Sequence, residues 1–379
     1  MTVERFDTAV VGAGIVGLAF AYHAARAGMK VALFERDSAA AGASIRNFGL
    51  LWPIGQPPGP RFDRALRSAR LWHTLAQEAH FSIQPTGSLH LAYHEDEWAV
   101  LQEFVEQQTG AAHDCRLLTP KEVASHSVIA RQAGLLGALW SNTEAVVTSP
   151  SAIAALASHL QAMGVQVFWN HAVTQVEPGR LRAGDRSFEA RRILICSGAD
   201  LETLFPQQLA ATGLTRCKLQ MLAARSPASI TLGPALCGGL TLLHYPAFAT
   251  CSSLRAVRER VQRETPALLE HGIHILVSQH DSGELILGDS HHYGNRPDPF
   301  DDEAVYALIL ERLRTFTELP DLTITRRWHG VYARADLATE VIVSPAERVW
   351  VVTGLGGAGM TLALGLAEEW WRKQGVMVP

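Results

Sequence analysis

The chain has no run of about 20 uninterrupted apolar residues, the length a membrane-crossing helix requires. It has no Cys-x-x-Cys pair either, and its five cysteines (Cys115, Cys196, Cys217, Cys237 and Cys251) are odd in number and widely spaced. Neither a disulfide framework nor a zinc site is expected, and the usage suits a reducing compartment. Lys and Arg form no long run and the formal net charge is only −4, so the footprint of a nucleic-acid or membrane-surface binder is missing. The N-terminal apolar stretch leads into glycines and not into a small-residue cleavage site, which argues against a secretory signal. These absences leave small-molecule chemistry in the cytoplasm, with no membrane anchor, as the expectation. The 379 residues suffice for two cores, and 47% hydrophobic residues with 31 glycines describe an α/β enzyme.

The densest signal lies in the first forty residues. Phe6 to Val11 reads as a short buried strand, and Gly12-Ala13-Gly14-Ile15-Val16-Gly17 follows it at once. Leu18 to Arg26 then has helical spacing, and Lys30 to Phe34 forms a second strand ending at Glu35. Gly12 permits a tight turn, Gly14 lets backbone approach a pyrophosphate, and Gly17 lets the helix pack on the strand. The helix N-terminus is then aimed at the anion. An acid about 20 residues beyond the motif suits the hydroxyl of an unmodified ribose, as FAD and NAD present but NADP does not. A lone glycine turn would be weak evidence; strand, helix, second strand and terminal acid together read as dinucleotide binding.

A second glycine loop closes the chain. Val349 to Thr353 reads as a strand leading into Gly354-Leu355-Gly356-Gly357-Ala358-Gly359-Met360-Thr361 and a last helix. Small residues there leave backbone N–H groups free, and a helix N-terminus favours negative charge.

Between these loops the sequence resembles the D-amino-acid oxidase, glycine oxidase and sarcosine oxidase superfamily. The resemblance rests on Ala43-Ser44-Ile45-Arg46-Asn47-Phe48-Gly49, on Ser149-Pro150 opening an Ala-rich helix to Gly164, and on Val165 to Trp169 followed by His171 to Val176. It rests too on Ile193-Leu194-Ile195-Cys196-Ser197-Gly198 and on the C-terminal loop. It spans nearly the whole chain. It implies an α/β fold: a Rossmann-type FAD-binding domain (1–83, 147–205 and 325–379) interleaved with an α+β substrate domain (84–146 and 206–324) carrying a large antiparallel sheet. Alternation in Gly87 to Tyr93, His274 to Gln279 and Glu284 to Gly288 agrees with strands, the last two joined by a turn at Asp281-Ser282-Gly283.

The resemblance implies FAD held by Gly12, Gly14, Gly17, Glu35, Arg36, Ser44, Arg46, Asn47, Gly49, Val173, Ser197, Gly198, Gly354, Gly356, Gly357, Gly359, Met360 and Thr361. The attachment is expected to be noncovalent, because the last cysteine is Cys251 and no histidine lies between His23 and His73. It implies transfer of hydride from the carbon bearing an amine, hydrolysis of the imine to a carbonyl, and reoxidation by O2. Family members carry an arginine after a Trp-x-Gly segment. Here Trp328-His329-Gly330-Val331-Tyr332-Ala333-Arg334 puts Tyr332 at that position, so Arg334 or Arg46 becomes the candidate anion clamp, with Tyr332 assisting. Arg334 could instead pair with a carboxylate such as Asp336. His244 and the His291-His292-Tyr293 segment are candidates for the pocket wall, and Lys218 for assisting oxygen reduction.

Within the superfamily the loop at 44–49 and the segment at 328–332 look like a bacterial subgroup linked to aminophosphonate breakdown, with 2-aminoethylphosphonate or its N-alkyl derivatives as substrate. Three other readings stand beside this one: an oxidase or dehydrogenase of glycine, sarcosine or a D-amino acid, a noncatalytic flavin protein that passes electrons, and an NAD-dependent dehydrogenase, which the second glycine loop at Gly354 to Gly359 disfavours. Oligomeric state has no signature in the sequence.

Overall fold

A computed structural model describes residues 4–107, 112–226, 230–319, 321–335 and 338–377. The first strand, Glu4–Val11, runs parallel to Val31–Phe34 on one side and to Arg186–Ile195 on the other. The helix Ile15–Arg26 connects the first two. The adjoining ends of these strands, Ala9–Val11, Val31–Phe34 and Ile193–Ile195, are apolar and buried because helices or further sheet cover both faces, as parallel sheets require. Gln166–Phe168, Val349–Thr353 and the outer antiparallel strands extend the layer to eight strands. Its core joins the first helix to the C-terminal helix Gly359–Lys373, with Trp370 and Trp371 packed near Phe20.

The glycine requirements are steric. A Cβ on Gly17 would stand 1.8 Å from the carbonyl oxygen of Gly12, so the helix could not sit this close to the turn with any other residue. Gly12 itself has φ +100° and would drive a Cβ to 2.4 Å from the carbonyl oxygen of Cys196.

The second sheet has nine strands and is antiparallel except between Ser88–Ala92 and Ala235–Cys237. Its centre is Thr215–Arg225, paired along its length with Thr323–Arg334. Leu276–Gln279 and Leu285–Gly288 pair antiparallel around the turn at Gly283, whose φ is +79°. The sequence boundary at 325 falls inside Thr323–Arg334, which belongs entirely to this sheet. The crossing back to the first layer therefore follows Arg334, because the strand's pairing with Thr215–Arg225 continues to that residue. A small sheet of Leu50–Leu51, Ile83–Gln84 and Ala145–Val147 stands at the junction. Among the described residues no helix is long and apolar enough to cross a membrane.

Candidate active site

A cavity of about 1040 Å³ runs from the first glycine loop across to the face of the nine-stranded sheet. Its first end is built by Gly12, Gly14, Glu35 and Arg36, with Val173, Ser197 and Gly198 beside them. Glu35 sits where Val31–Phe34 ends, and its carboxylate accepts from the backbone N–H of Ala13 at 2.8 Å and of Asp37 at 3.2 Å. Strand end and glycine loop are thereby tied together, and a carboxylate has lone pairs left for a ligand hydroxyl. Arg36 pairs with Asp200 at 2.7 Å on the rim.

The loop at 43–49 lies along the middle of the cavity. Asn47 is consumed in shaping it: its amide nitrogen donates to the carbonyls of Ala43 and Ser44, and its oxygen accepts from the Gly49 N–H and the Ser149 hydroxyl. Ser44 Oγ accepts from the N–H of Ile15 at 2.9 Å, satisfying a donor of the helix start that has no partner within the helix. Arg46 keeps its guanidinium at the surface, where it donates to the carbonyl of His329 at 3.3 Å. Gly49 does not line the cavity; its φ of +74° and a Cβ distance of 1.9 Å to the carbonyl oxygen of Val147 make it a packing glycine, as is Gly17.

Across the cavity the second glycine loop presents Gly354, Gly356, Gly357, Gly359, Met360 and Thr361. The Thr361 hydroxyl accepts from the N–H of Trp52, and Thr353 donates to the carbonyl of Gly198, so this loop is fastened to both neighbouring segments. Tyr332 rests against it, its hydroxyl 3.6 Å from where a Gly357 Cβ would be. Tyr332 and Arg334 point into the cavity together because they are two residues apart on one strand. The Arg334 guanidinium stands 4.6 Å over the ring of Tyr293; Asp336 lies outside the described residues.

Lys218, a candidate for assisting oxygen reduction or else a plain strand residue, does not line the cavity. Leu219 and Met221 line the cavity from this strand, so Lys218, one residue out of step with them, points to the other side. There its ammonium is buried 2.9 Å from Asp301 Oδ1 and donates to the carbonyl of Phe300, away from the cavity. The alternation was readable in the sequence, but the identity of the cavity face was not.

Sequence reasoning named His244 and His291 for the pocket wall but missed that they meet His274 and Asp289 there. His274 and Asp289 exchange backbone hydrogen bonds just beyond the paired strands, so their side chains start as neighbours. His291 is held by its N–H bond to the carbonyl of His271, and a Cβ on Gly272 would collide with it at 2.9 Å. His244, at the end of the short helix Thr241–His244, completes the group, with ring centroids 3.9 Å from His274 and 4.4 Å from His291. Ring nitrogens of the three lie within 4.8 Å of one another. Both ring nitrogens of His274 and Oδ1 of Asp289 are buried without a hydrogen bond among the described residues. Each such group costs about 1–3 kcal/mol, so a ligand-facing role is expected of them. Burial holds His244 and His274 well below the usual imidazole range and brings His291 to about 4, while it raises Asp289 well above the carboxylate range. Burial thus favours the neutral form of all four groups.

The cavity thus joins a glycine-loop anion cradle, a ribose-type acid and a second cradle facing a polar wall. Residues 7–370 match the family described as FAD dependent oxidoreductase. The chain belongs to that family. An opine oxidase polypeptide of Agrobacterium tumefaciens is 24% identical over 342 residues, 86% of this chain and 81% of that protein. Glycine oxidase of Bacillus licheniformis is 29% identical over 216 residues, 54% of this chain and 57% of its own. The crystal structure of glycine oxidase from Geobacillus kaustophilus superposes with a TM-score of 0.79 at 19% identity, covering 98% of this chain and 95% of its own, which shows the shared fold.

As a member of the family the protein is an FAD-dependent oxidoreductase, and the cavity fits the cofactor. Gly14 keeps the start of the first helix open, and a side chain there would meet Ser44 Oγ at 3.0 Å and enter the cleft. The N-terminus of Gly359–Lys373 offers its dipole from the other side.

Proposed function

We propose that this oxidoreductase is an oxidase of small zwitterionic amines, acting on the carbon–nitrogen bond, and that its substrate carries a phosphonate: 2-aminoethylphosphonate or an N-alkyl derivative. The observation that carries the reading is the substrate-facing wall, where Arg334 stands among Tyr293, Tyr332 and the imidazoles. Such a wall offers more hydrogen-bond donors than a carboxylate can use and suits three oxygens on a tetrahedral centre. Glycine oxidase, among the relatives, is named for an amino acid substrate, which supports the amine half of the reading.

Bound FAD supplies the two-electron acceptor for oxidation of the amine-bearing carbon. In the proposal, Gly12, Gly14, Glu35, Arg36, Ser44, Val173, Ser197 and Gly198 hold its dinucleotide portion. Gly354, Gly356, Gly357, Gly359, Met360 and Thr361 line the ring end and supply N–H groups and a helix dipole for negative charge. Arg334 anchors the anion, and Tyr332, wedged between the second loop and the sheet, sets the distance from anchor to reacting carbon. Loss of two electrons and two protons from the amine would leave an imine, which water hydrolyses to a carbonyl and the released amine or ammonia, and O2 would take up the two electrons and two protons as H2O2. No cysteine other than the buried Cys196 lines the cavity among the described residues, which supports a dissociable cofactor.

The test is peroxide release by the purified holoenzyme with a panel of aminoalkylphosphonates and the matching amino acids. Preference for the phosphonates is expected. Equal or better use of glycine, sarcosine or D-alanine would replace this reading with an ordinary amino-acid oxidase, and anaerobic failure of every amine to bleach the yellow protein would favour an electron-transfer role.

A further inference from the structure

His274, His291 and Asp289 are buried polar groups on a cavity wall that no part of the fold requires. His274 is 3% exposed, Asp289 4% and His291 6%. A core position would carry an apolar side chain here, as neighbouring Ile273, Ile275 and Leu276 do. His274 Nε2 stands 3.4 Å from Asp289 Oδ1, and His291 Nδ1 donates to the carbonyl of Gly272 at 3.1 Å. That bond fixes the His291 tautomer and leaves Nε2 as its other polar atom.

We propose that His244, His274, His291 and Asp289, together with Arg334, form an oxyanion subsite for the tetrahedral, doubly charged end of the substrate, and that one imidazole takes up a proton when the dianion binds. The inference rests on the phosphonate reading above and assigns its recognition to residues besides the arginine. A dianion against one guanidinium leaves one negative charge uncompensated in a buried wall, and such a charge is costly unless paired. An imidazole among three can supply the missing positive charge, because a bound dianion favours the protonated ring and so opposes the lowering that burial imposes. The titratable groups around the cluster are His292 beside His291, Tyr245 beside His244 with Cys237 next to it, Cys217, Tyr293, and Tyr332 with Arg334. Burial raises the thiols and phenols above their ordinary ranges, leaving them neutral donors.

The ring arrangement favours an anion over a metal ion. His274 and His291 are stacked, with an interplanar angle of 21° and centroids 4.8 Å apart, and His244 lies 3.9 Å from His274 at 34°. Stacked rings present edges side by side to a ligand with several oxygens. Tetrahedral ligation instead needs three lone pairs converging on one point about 2.0–2.1 Å from each nitrogen.

The probe is ethylphosphonate, which cannot be oxidised at an amine, titrated into FAD-loaded protein by calorimetry in buffers of different ionisation heat, at a pH where the phosphonate is already doubly ionised. Uptake of close to one proton per site is expected, with a shift in the flavin absorption. His274→Ala and His291→Ala should weaken ethylphosphonate at least about tenfold while retaining FAD, since removing a partner of a charged ligand has effects of this size. Asp289→Asn, which keeps a neutral hydrogen-bonding group, should hold ethylphosphonate within about threefold of wild type. No proton uptake by wild-type protein would overturn the subsite, and that measurement does not depend on any variant folding. Tight binding of zinc by wild-type protein that Asp289→Asn abolishes would overturn it in favour of a metal site. If an aminoalkylphosphonate is oxidised well but its KM and its proton uptake are unchanged in both histidine variants, this subsite fails while the substrate reading stands. If ethylphosphonate does not bind and aminoalkylphosphonates are not oxidised, both fail.

Discussion

Ser44 Oγ accepts a 2.9 Å hydrogen bond from the backbone N–H of Ile15, so the loop after the second strand holds the start of the first helix in place. A Cβ on Gly14 would stand 3.0 Å from that same oxygen. Gly14→Val should therefore both displace Ser44 and fill the cleft, and the variant should fail to bind FAD in a flavin titration while its circular dichroism stays native-like. Ser44→Ala should bind FAD more weakly and lose roughly 1 kcal/mol of stability, the usual cost of a lost helix-start acceptor. Normal FAD affinity in Gly14→Val would show that the loop does not face the cofactor.

FAD should be released entirely by acid precipitation, leaving a colourless pellet. Cys251, last of the cysteines, is buried and does not line the cavity, and Cys196, which does, is fully buried with its thiol pushed well up by desolvation. Yellow protein in the pellet would mean a covalent bond.

Arg334→Met keeps length and removes charge. Loss of a charged contact to the substrate is worth about 2–3 kcal/mol, or roughly thirty- to more than a hundredfold in dissociation constant. The preference for an aminoalkylphosphonate over the matching amino acid should largely disappear, with FAD content retained. Arg46→Met, whose guanidinium lies at the surface against His329, should change that preference much less. Its FAD content is also measured, because the loop borders the cofactor cavity.

Lys218→Met should leave the rate of reoxidation by O2 unchanged, since the ammonium faces away from the cavity. It should lower stability by a few kcal/mol, because Asp301 and the Phe300 carbonyl lose a buried partner. A marked loss of oxygen reactivity in stopped-flow mixing would restore Lys218 to the reaction.

Burial lowers His23 from 6.5 to about 4 and His90 to about 3. Both bind a proton less readily folded than unfolded, so their stabilising contribution is complete above pH 6.5. It is lost as the pH falls toward 4, on the order of a few kcal/mol apiece. The midpoint of urea unfolding should drop across that window. His90→Leu should flatten the slope and cost little at neutral pH, because both ring nitrogens of His90, beside Trp52 and Phe248, lack hydrogen bonds among the described residues. An unchanged slope would place the acid sensitivity elsewhere.

The sequence alone determined the cofactor half of the molecule. Contacts there are local or steric: Gly12 against Gly17 and the strand ending at Glu35 both depend on neighbours within a few tens of residues, so spacing and residue type suffice. The second glycine loop was legible for the same reason. The substrate wall was decided only by tertiary structure. His244, His274, Asp289 and His291 come from three separate segments, and only strand pairing and the placement of the short helix Thr241–His244 bring them together. Lys218 shows the reverse side of this. A two-residue alternation tells which side chains share a face, but only the packing of the helix Glu303–Phe316 on one face and the cavity on the other decides which face meets the ligand.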